Sequence, residues 1–140
     1  MPTREDRSAQ SEYNPGVAIL RKTVIFLIAA SVGYVFFINV CDLLFQCGCQ
    51  FLWAGAGQLC NVHMPGAAHC PFCSHGAWGL WLPKVAIWSV QAAVVFPGGK
   101  LSDRTLLLLS LVSFPIVEAL VGWSAAVYSD YPTFLFFKLF

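Results

Sequence analysis

Charge is scarce in this chain. Lys, Arg, Asp and Glu make up 11% of its 140 residues, against about a quarter in soluble domains. The net charge is +1 and neither sign forms a block, so no nucleic acid is expected as a partner. The scarcity is uneven: residues 46–83 contain no Lys or Arg at all. No internal repeat is visible. A basic start followed by a short apolar core and a small-residue cleavage site is also missing, so a cleavable signal is not expected. Residues 1–16, with Arg4, Glu5, Asp6, Arg7 and Glu12, read instead as a polar cytoplasmic arm. No His directly follows a Cys-x-x-Cys pair, because Ser74 separates Cys73 from His75. That excludes covalent haem attachment.

What the chain has in quantity is apolar side chains, 58% of the total. They fall in runs long enough for membrane spans, each of which needs roughly 20 apolar residues. The runs predict an all-α membrane protein with three transmembrane helices, at 17–45, 80–97 and 105–128. A Cys/His-rich loop at 46–79 joins the first two helices, a short turn at 98–104 joins the last two, and an aromatic tail at 129–140 is too short to cross. The tail is expected at the interface or against a partner. Pro83 is placed in the first turn of the second helix, where its missing N–H is harmless. Pro115 is expected to kink the third, with Ser110 or Ser113 serving the freed carbonyl.

Basic residues orient the chain. Arg4, Arg7, Arg21 and Lys22 precede the first run, and Lys100 and Arg104 lie between the second and third. The positive-inside rule then places the N-terminus in the cytoplasm and the Cys/His loop and C-terminus on the extracytoplasmic side, in a bacterial inner membrane or its equivalent. Trp53, Trp78, Trp81, Trp123 and Tyr128 would form an aromatic belt at the outer interface.

The loop concentrates soft ligands: all three histidines and five of the six cysteines of the chain. One spacing stands out. Cys60-x2-His63 is followed, six residues later, by Cys70-x2-Cys73, with Pro65–Gly66 between them for the reversal. Paired ligands on two tight turns can close a tetrahedral site, and zinc takes mixed thiolate and imidazole sets. The expected metal ligands are therefore Cys60, His63, Cys70 and Cys73, with His69, His75, Cys47 and Cys49 as alternates. Cys41 lies inside the first helix and is expected to be a small buried apolar residue. Disulfides among the loop cysteines are the alternative on an oxidising side. A redox role for the Cys70/Cys73 pair is another.

Glu118 is an acid deep in a predicted span, and such residues usually face a partner or a cavity. Helical rise brings Lys84 and Gln91 within its reach, so an interhelical clamp is expected rather than a proton relay. Asn39 and Asp42 read as polar residues near the interface. No catalytic pair is evident. The expected function is that of a small accessory or structural subunit of a larger membrane complex, its loop ordered by a zinc site. A membrane thiol–disulfide protein and a metal-ion carrier are the alternatives.

Overall fold

The structure is a computed structural model that describes residues 15–97 and 101–138. The polar arm, apart from Pro15 and Gly16, lies outside the described residues, as do Lys100 and residues 139–140. The described residues are mostly helical, at 72%. Helix α1 (Pro15–Phe45) and helix α4 (Asp103–Tyr128) are each long and apolar enough to cross a membrane. Between them lie the short helix α2 (Pro71–Ser74) and helix α3 (Gly76–Val95). A two-stranded antiparallel hairpin, β1 (Thr133–Phe134) and β2 (Phe137–Lys138), closes the chain.

Local chemistry explains the helix ends. Pro15 opens α1, where a missing N–H is no loss. Ser102 caps α4 by accepting from the Thr105 N–H at 3.2 Å, and Asp103 adds a negative charge to the first turn. Helix α3 starts at Gly76 rather than at residue 80. Pro83 is therefore inside the helix, where its ring deprives the Gly79 carbonyl of its donor. In α4, Ser113 donates to its own i−3 carbonyl, Ser110, at 2.7 Å. It is thus spent on Ser110, one residue short of Leu111, the carbonyl that Pro115 frees.

Helices α1, α3 and α4 all touch one another. Their buried faces repeat every four residues. In α1 these are Ile25, Ala29, Gly33, Phe37 and Cys41. In α3 they are Pro83, Ile87, Gln91 and Val95, and in α4 Leu106, Ser110, Phe114, Glu118, Gly122 and Ala126. A four-residue step on a 3.6-residue helix gains about 40° each time. The stripe therefore winds around its helix and favours right-handed crossings. Small residues on the stripe let the backbones approach. A Cβ on Gly33 would stand 3.3 Å from the Phe114 ring, and one on Gly122 would stand 3.1 Å from Leu44.

The two ends of the bundle differ. At the N-terminal end of α1, Arg21 forms an ion pair with Asp103, and Lys22 donates to the Phe96 carbonyl at 2.6 Å. Those contacts tie α1 to the start of α4 and the end of α3. At the other end the core is aromatic. The Phe45 ring meets Phe72, Tyr131 and Phe134 edge-on, with centroids 5.1, 5.5 and 5.9 Å away. The tail thus folds back onto its own chain: Phe134 is buried and the Leu135 N–H bonds the Leu44 carbonyl at 2.9 Å.

Candidate metal centre

The aromatic end of the bundle carries the cysteines, and three pieces of chain deliver them. Cys41 projects from the last turns of α1. The chain then leaves the helix through Gln46, at φ 51°, and Gly48, at φ 81°, which turn Cys47 and Cys49 back toward Cys41. Asp42 holds that reversal, its carboxylate accepting from the Gly48 N–H at 2.7 Å. Only glycine fits there, since a Cβ would meet the Leu59 carbonyl at 2.7 Å. Cys60 follows a short irregular stretch and begins a 3₁₀ turn, Asn61–His63. Cys70 precedes α2, and both the Cys73 and Ser74 N–H groups bond its carbonyl, at 3.0 and 2.9 Å.

Asn61 locks these pieces together. Its N–H donates to the Cys47 carbonyl at 2.7 Å. Its side-chain oxygen accepts from the Cys70 N–H at 2.9 Å, and its amide nitrogen donates to the Tyr131 hydroxyl at 2.7 Å. Tyr131 in turn donates to the Phe45 carbonyl at 3.0 Å. One side chain thereby joins both halves of the loop to the tail and to the end of α1.

The result is a cluster of all six cysteines of the chain. Their sulfurs gather in triads with all atoms within 4.8 Å of one another, among them Cys41–Cys47–Cys49, Cys41–Cys70–Cys73, Cys47–Cys60–Cys70 and Cys49–Cys60–Cys73. Cys41 and Cys70 have sulfurs 3.5 Å apart, and Cys41 and Cys47 3.9 Å apart. Two sulfurs coordinated tetrahedrally at about 2.3 Å stand about 3.8 Å apart, so these are spacings a shared ion produces. Such a cluster could hold a metal ion.

Electrostatics within the cluster is uneven. Hydrogen bonds from other thiols, Cys41 foremost and then Cys49 and Cys70, hold Cys47 and Cys73 well below the ordinary thiol range. Burial pushes Cys60 up to about 11. The thiolate is the form that binds metal. A cavity of about 540 Å³ opens beside the cluster, lined by Phe37, Cys41, Cys49, Val62, His63 and Cys73 among others. It brings open space up to three of the six cysteines.

Of the ligands expected from spacing, Cys60, Cys70 and Cys73 meet, and the alternates Cys47 and Cys49 join them. The histidines stand apart. His63 is exposed at the cavity mouth, His69 is exposed, and His75 pairs through Nδ1 with the Pro71 carbonyl at 2.9 Å. None of the three belongs to a triad. Cys41 is buried, as expected, yet its sulfur takes part in two of the four named triads. The signal for it was its distance from the loop: six residues before Cys47, on the last turns of the helix that feeds it. Asn61 and Tyr131 carried no signal, because an amide and a phenol have no ligand spacing to read.

The intramembrane polar residues part company as well. Gln91 donates to the carbonyls of Ala29 and Ser110, both at 3.3 Å, and not to Glu118. The Lys84 ammonium lies over three rings, 5.1 Å from Tyr34 and Phe37 and 5.3 Å from Trp81. Glu118 is fully buried, and neither carboxylate oxygen has a hydrogen-bond partner among the described residues. Asp42 serves the Gly48 turn rather than the interface.

No protein family, curated protein or solved structure matches the chain.

Proposed function

We propose that the chain is a small integral membrane subunit that carries a soft metal ion in its cysteine cluster and serves a larger membrane assembly. One observation carries the reading: all six cysteines, drawn from residues 41–73, converge at one end of a bundle of apolar helices. Thiolates select soft or borderline ions such as Zn²⁺ and Cu(I). So short a loop has little core of its own, and metal binding would supply the folding energy it lacks.

Helix α3 is the third span in this reading. Its 20 residues extend about 30 Å, the thickness of the hydrocarbon core. Arg21, Lys22 and Arg104 favour the cytoplasm for the end opposite the cysteines. Trp53, Trp78, Trp81, Trp123 and Tyr128, all exposed, suit an interfacial belt on the cysteine side. The apolar side chains exposed along α1 and α4 suit lipid and partner helices. With little polar chemistry beyond the cluster, an accessory role is favoured over an enzyme.

Metal content decides the matter. Protein extracted from membranes in mild detergent under reducing conditions should contain Zn²⁺ or copper at one ion per chain or more. Cys70→Ser should lower that content while the protein still inserts. A metal-free chain that refuses both ions sinks the reading. The 3.5 Å approach of the Cys41 and Cys70 sulfurs favours thiol–disulfide exchange as the second reading. Acid trapping of a disulfide that turns over with a partner would establish that reading instead.

A further inference from the structure

The arrangement of the triads says more than that a metal fits, and the inference drawn from it rests on the metal-binding reading above. Each cysteine belongs to two of the four named triads, and any two of these share one cysteine and no more. Six points linked in this way are the corners of an octahedron; the four triads are one set of alternate faces, and the other four faces meet the same distance limit. The pairs that share no triad, Cys41 with Cys60, Cys47 with Cys73 and Cys49 with Cys70, are its opposite corners.

Familiar thiolate sites have other patterns. A single tetrahedral ion gathers four sulfurs that are all mutual neighbours, whereas the close sets here have three members. Two zinc ions sharing six cysteines divide them unequally: two sulfurs bridge and four are terminal. Here all six are equivalent in their neighbours. An iron–sulfur cluster of either common type is held by four cysteines. Such a cluster would leave two of these six gathered sulfurs without an iron.

We infer that the six cysteines form a tetranuclear Cu(I)–thiolate site, with one ion on each of four alternate faces of the octahedron and each sulfur bridging two ions. A triangle of side 3.9 Å, the Cys41–Cys47 separation, has its centre about 2.3 Å from each corner, the length of a metal–thiolate bond. Trigonal three-sulfur coordination satisfies Cu(I), a soft d¹⁰ ion. Zinc in the same positions would need a fourth ligand on every ion, and no histidine is in a triad to provide one. The cavity brings open space up to Cys41, Cys49 and Cys73, and burial of Cys41, Cys47, Cys49, Cys60 and Cys70 shields Cu(I) from water and oxidants.

Loading balances without a redox step. Four Cu(I) ions bind six thiolates, the protons those cysteines still carry leave for solvent, and the cluster carries a net charge of 2−. Copper enters and remains as Cu(I).

The test is anaerobic titration of the full chain in detergent micelles with Cu(I) against a chromophoric Cu(I) chelator, together with X-ray absorption at the copper edge. Four Cu(I) per chain, bound cooperatively, in an all-sulfur shell of three at about 2.3 Å with a short copper–copper distance, is the expected result. Cys41→Ser is the diagnostic variant, because Cys41 is outside the Cys60/His63/Cys70/Cys73 set and inside two of the four named triads. It should at least halve the copper bound. A triple variant, His63→Ala with His69→Ala and His75→Ala, should still bind four. The absorption spectrum of the unaltered chain stands even if a cysteine variant fails to fold. One or two ions per chain, or a four-ligand shell with nitrogen, overturns the tetranuclear site and leaves the metal-binding reading intact. Failure to bind any soft metal overturns both.

Discussion

The Asn61 amide donates to the Tyr131 hydroxyl at 2.7 Å across 70 residues of sequence. This contact joins the cysteine loop to the C-terminal tail, and Tyr131 passes it on to the Phe45 carbonyl at the end of α1. Tyr131→Phe keeps the ring and removes both bonds. Leaving buried partners unsatisfied costs about 1–3 kcal/mol. A lower thermal midpoint in micelles and faster alkylation of the cysteines are expected. Unchanged alkylation would show that the loop holds its shape without this tie.

The same phenol makes stability depend on pH. Burial first, offset in part by the Asn61 bond, pushes Tyr131 from its ordinary value of 10.0 up to about 12. The fold therefore holds the proton more tightly than the unfolded chain does. Its contribution is fully present below pH 10 and is lost as pH rises from about 10 through 12. The gap in thermal midpoint between wild type and Tyr131→Phe should narrow over that window. A constant gap would mean that the phenol titrates alike in both states.

Gly79 marks a close approach between α2 and α3. A Cβ there would stand 2.4 Å from the Phe72 carbonyl oxygen and 3.2 Å from the His75 side chain. Gly79→Ala must push the two helices apart, a change of about 1–3 kcal/mol. Gly57→Ala meets nothing within 4 Å and serves as the control. Equal thermal midpoints for the two variants would contradict the close approach.

Lys84 lies over three rings and also interacts through charge with Glu118. Lys84→Met should lose roughly 1–2 kcal/mol of cation–π attraction and shift the emission of the nearby Trp81. Glu118→Gln, which keeps the shape of a fully buried side chain, should leave metal content unchanged if the cluster works alone. Loss of metal uptake in Glu118→Gln would revive an ion path through the bundle.

If a metal orders the loop, stripping it should melt the loop and spare the helices. A thiophilic chelator should raise the rate of proteolysis within residues 46–70 at least tenfold, because that segment has few buried apolar side chains other than its cysteines. Helical circular dichroism should change little. A protease pattern indifferent to the chelator would mean that hydrogen bonds such as those of Asn61 suffice.

Part of this was readable in one dimension. Long apolar runs with few charges announce Pro15–Phe45 and Asp103–Tyr128 as helices fit to cross a membrane. Gly76, Gly79 and Pro83 disguised the start of α3, because residues that break isolated helices are tolerated where a neighbour packs closely, as Phe72 does on Gly79. Spacing singled out Cys60, Cys70 and Cys73, and it ranked His63 above Cys41. Ligand spacing reads pairs delivered by one turn of chain. It is blind to a sulfur delivered by a helix, such as Cys41.

Composition and periodicity, which are local, were enough to set the apolar character of the helices and the supply of sulfur, since each depends on near neighbours and on solvent. Which sulfurs meet was decided by tertiary structure alone. Cys41 and Cys70 are 29 residues apart in the chain and 3.5 Å apart in space. The αL turns at Gln46 and Gly48, the Asn61 bridge and the tail folded over Phe45 bring them together. Each of those contacts exists only once the helices have packed.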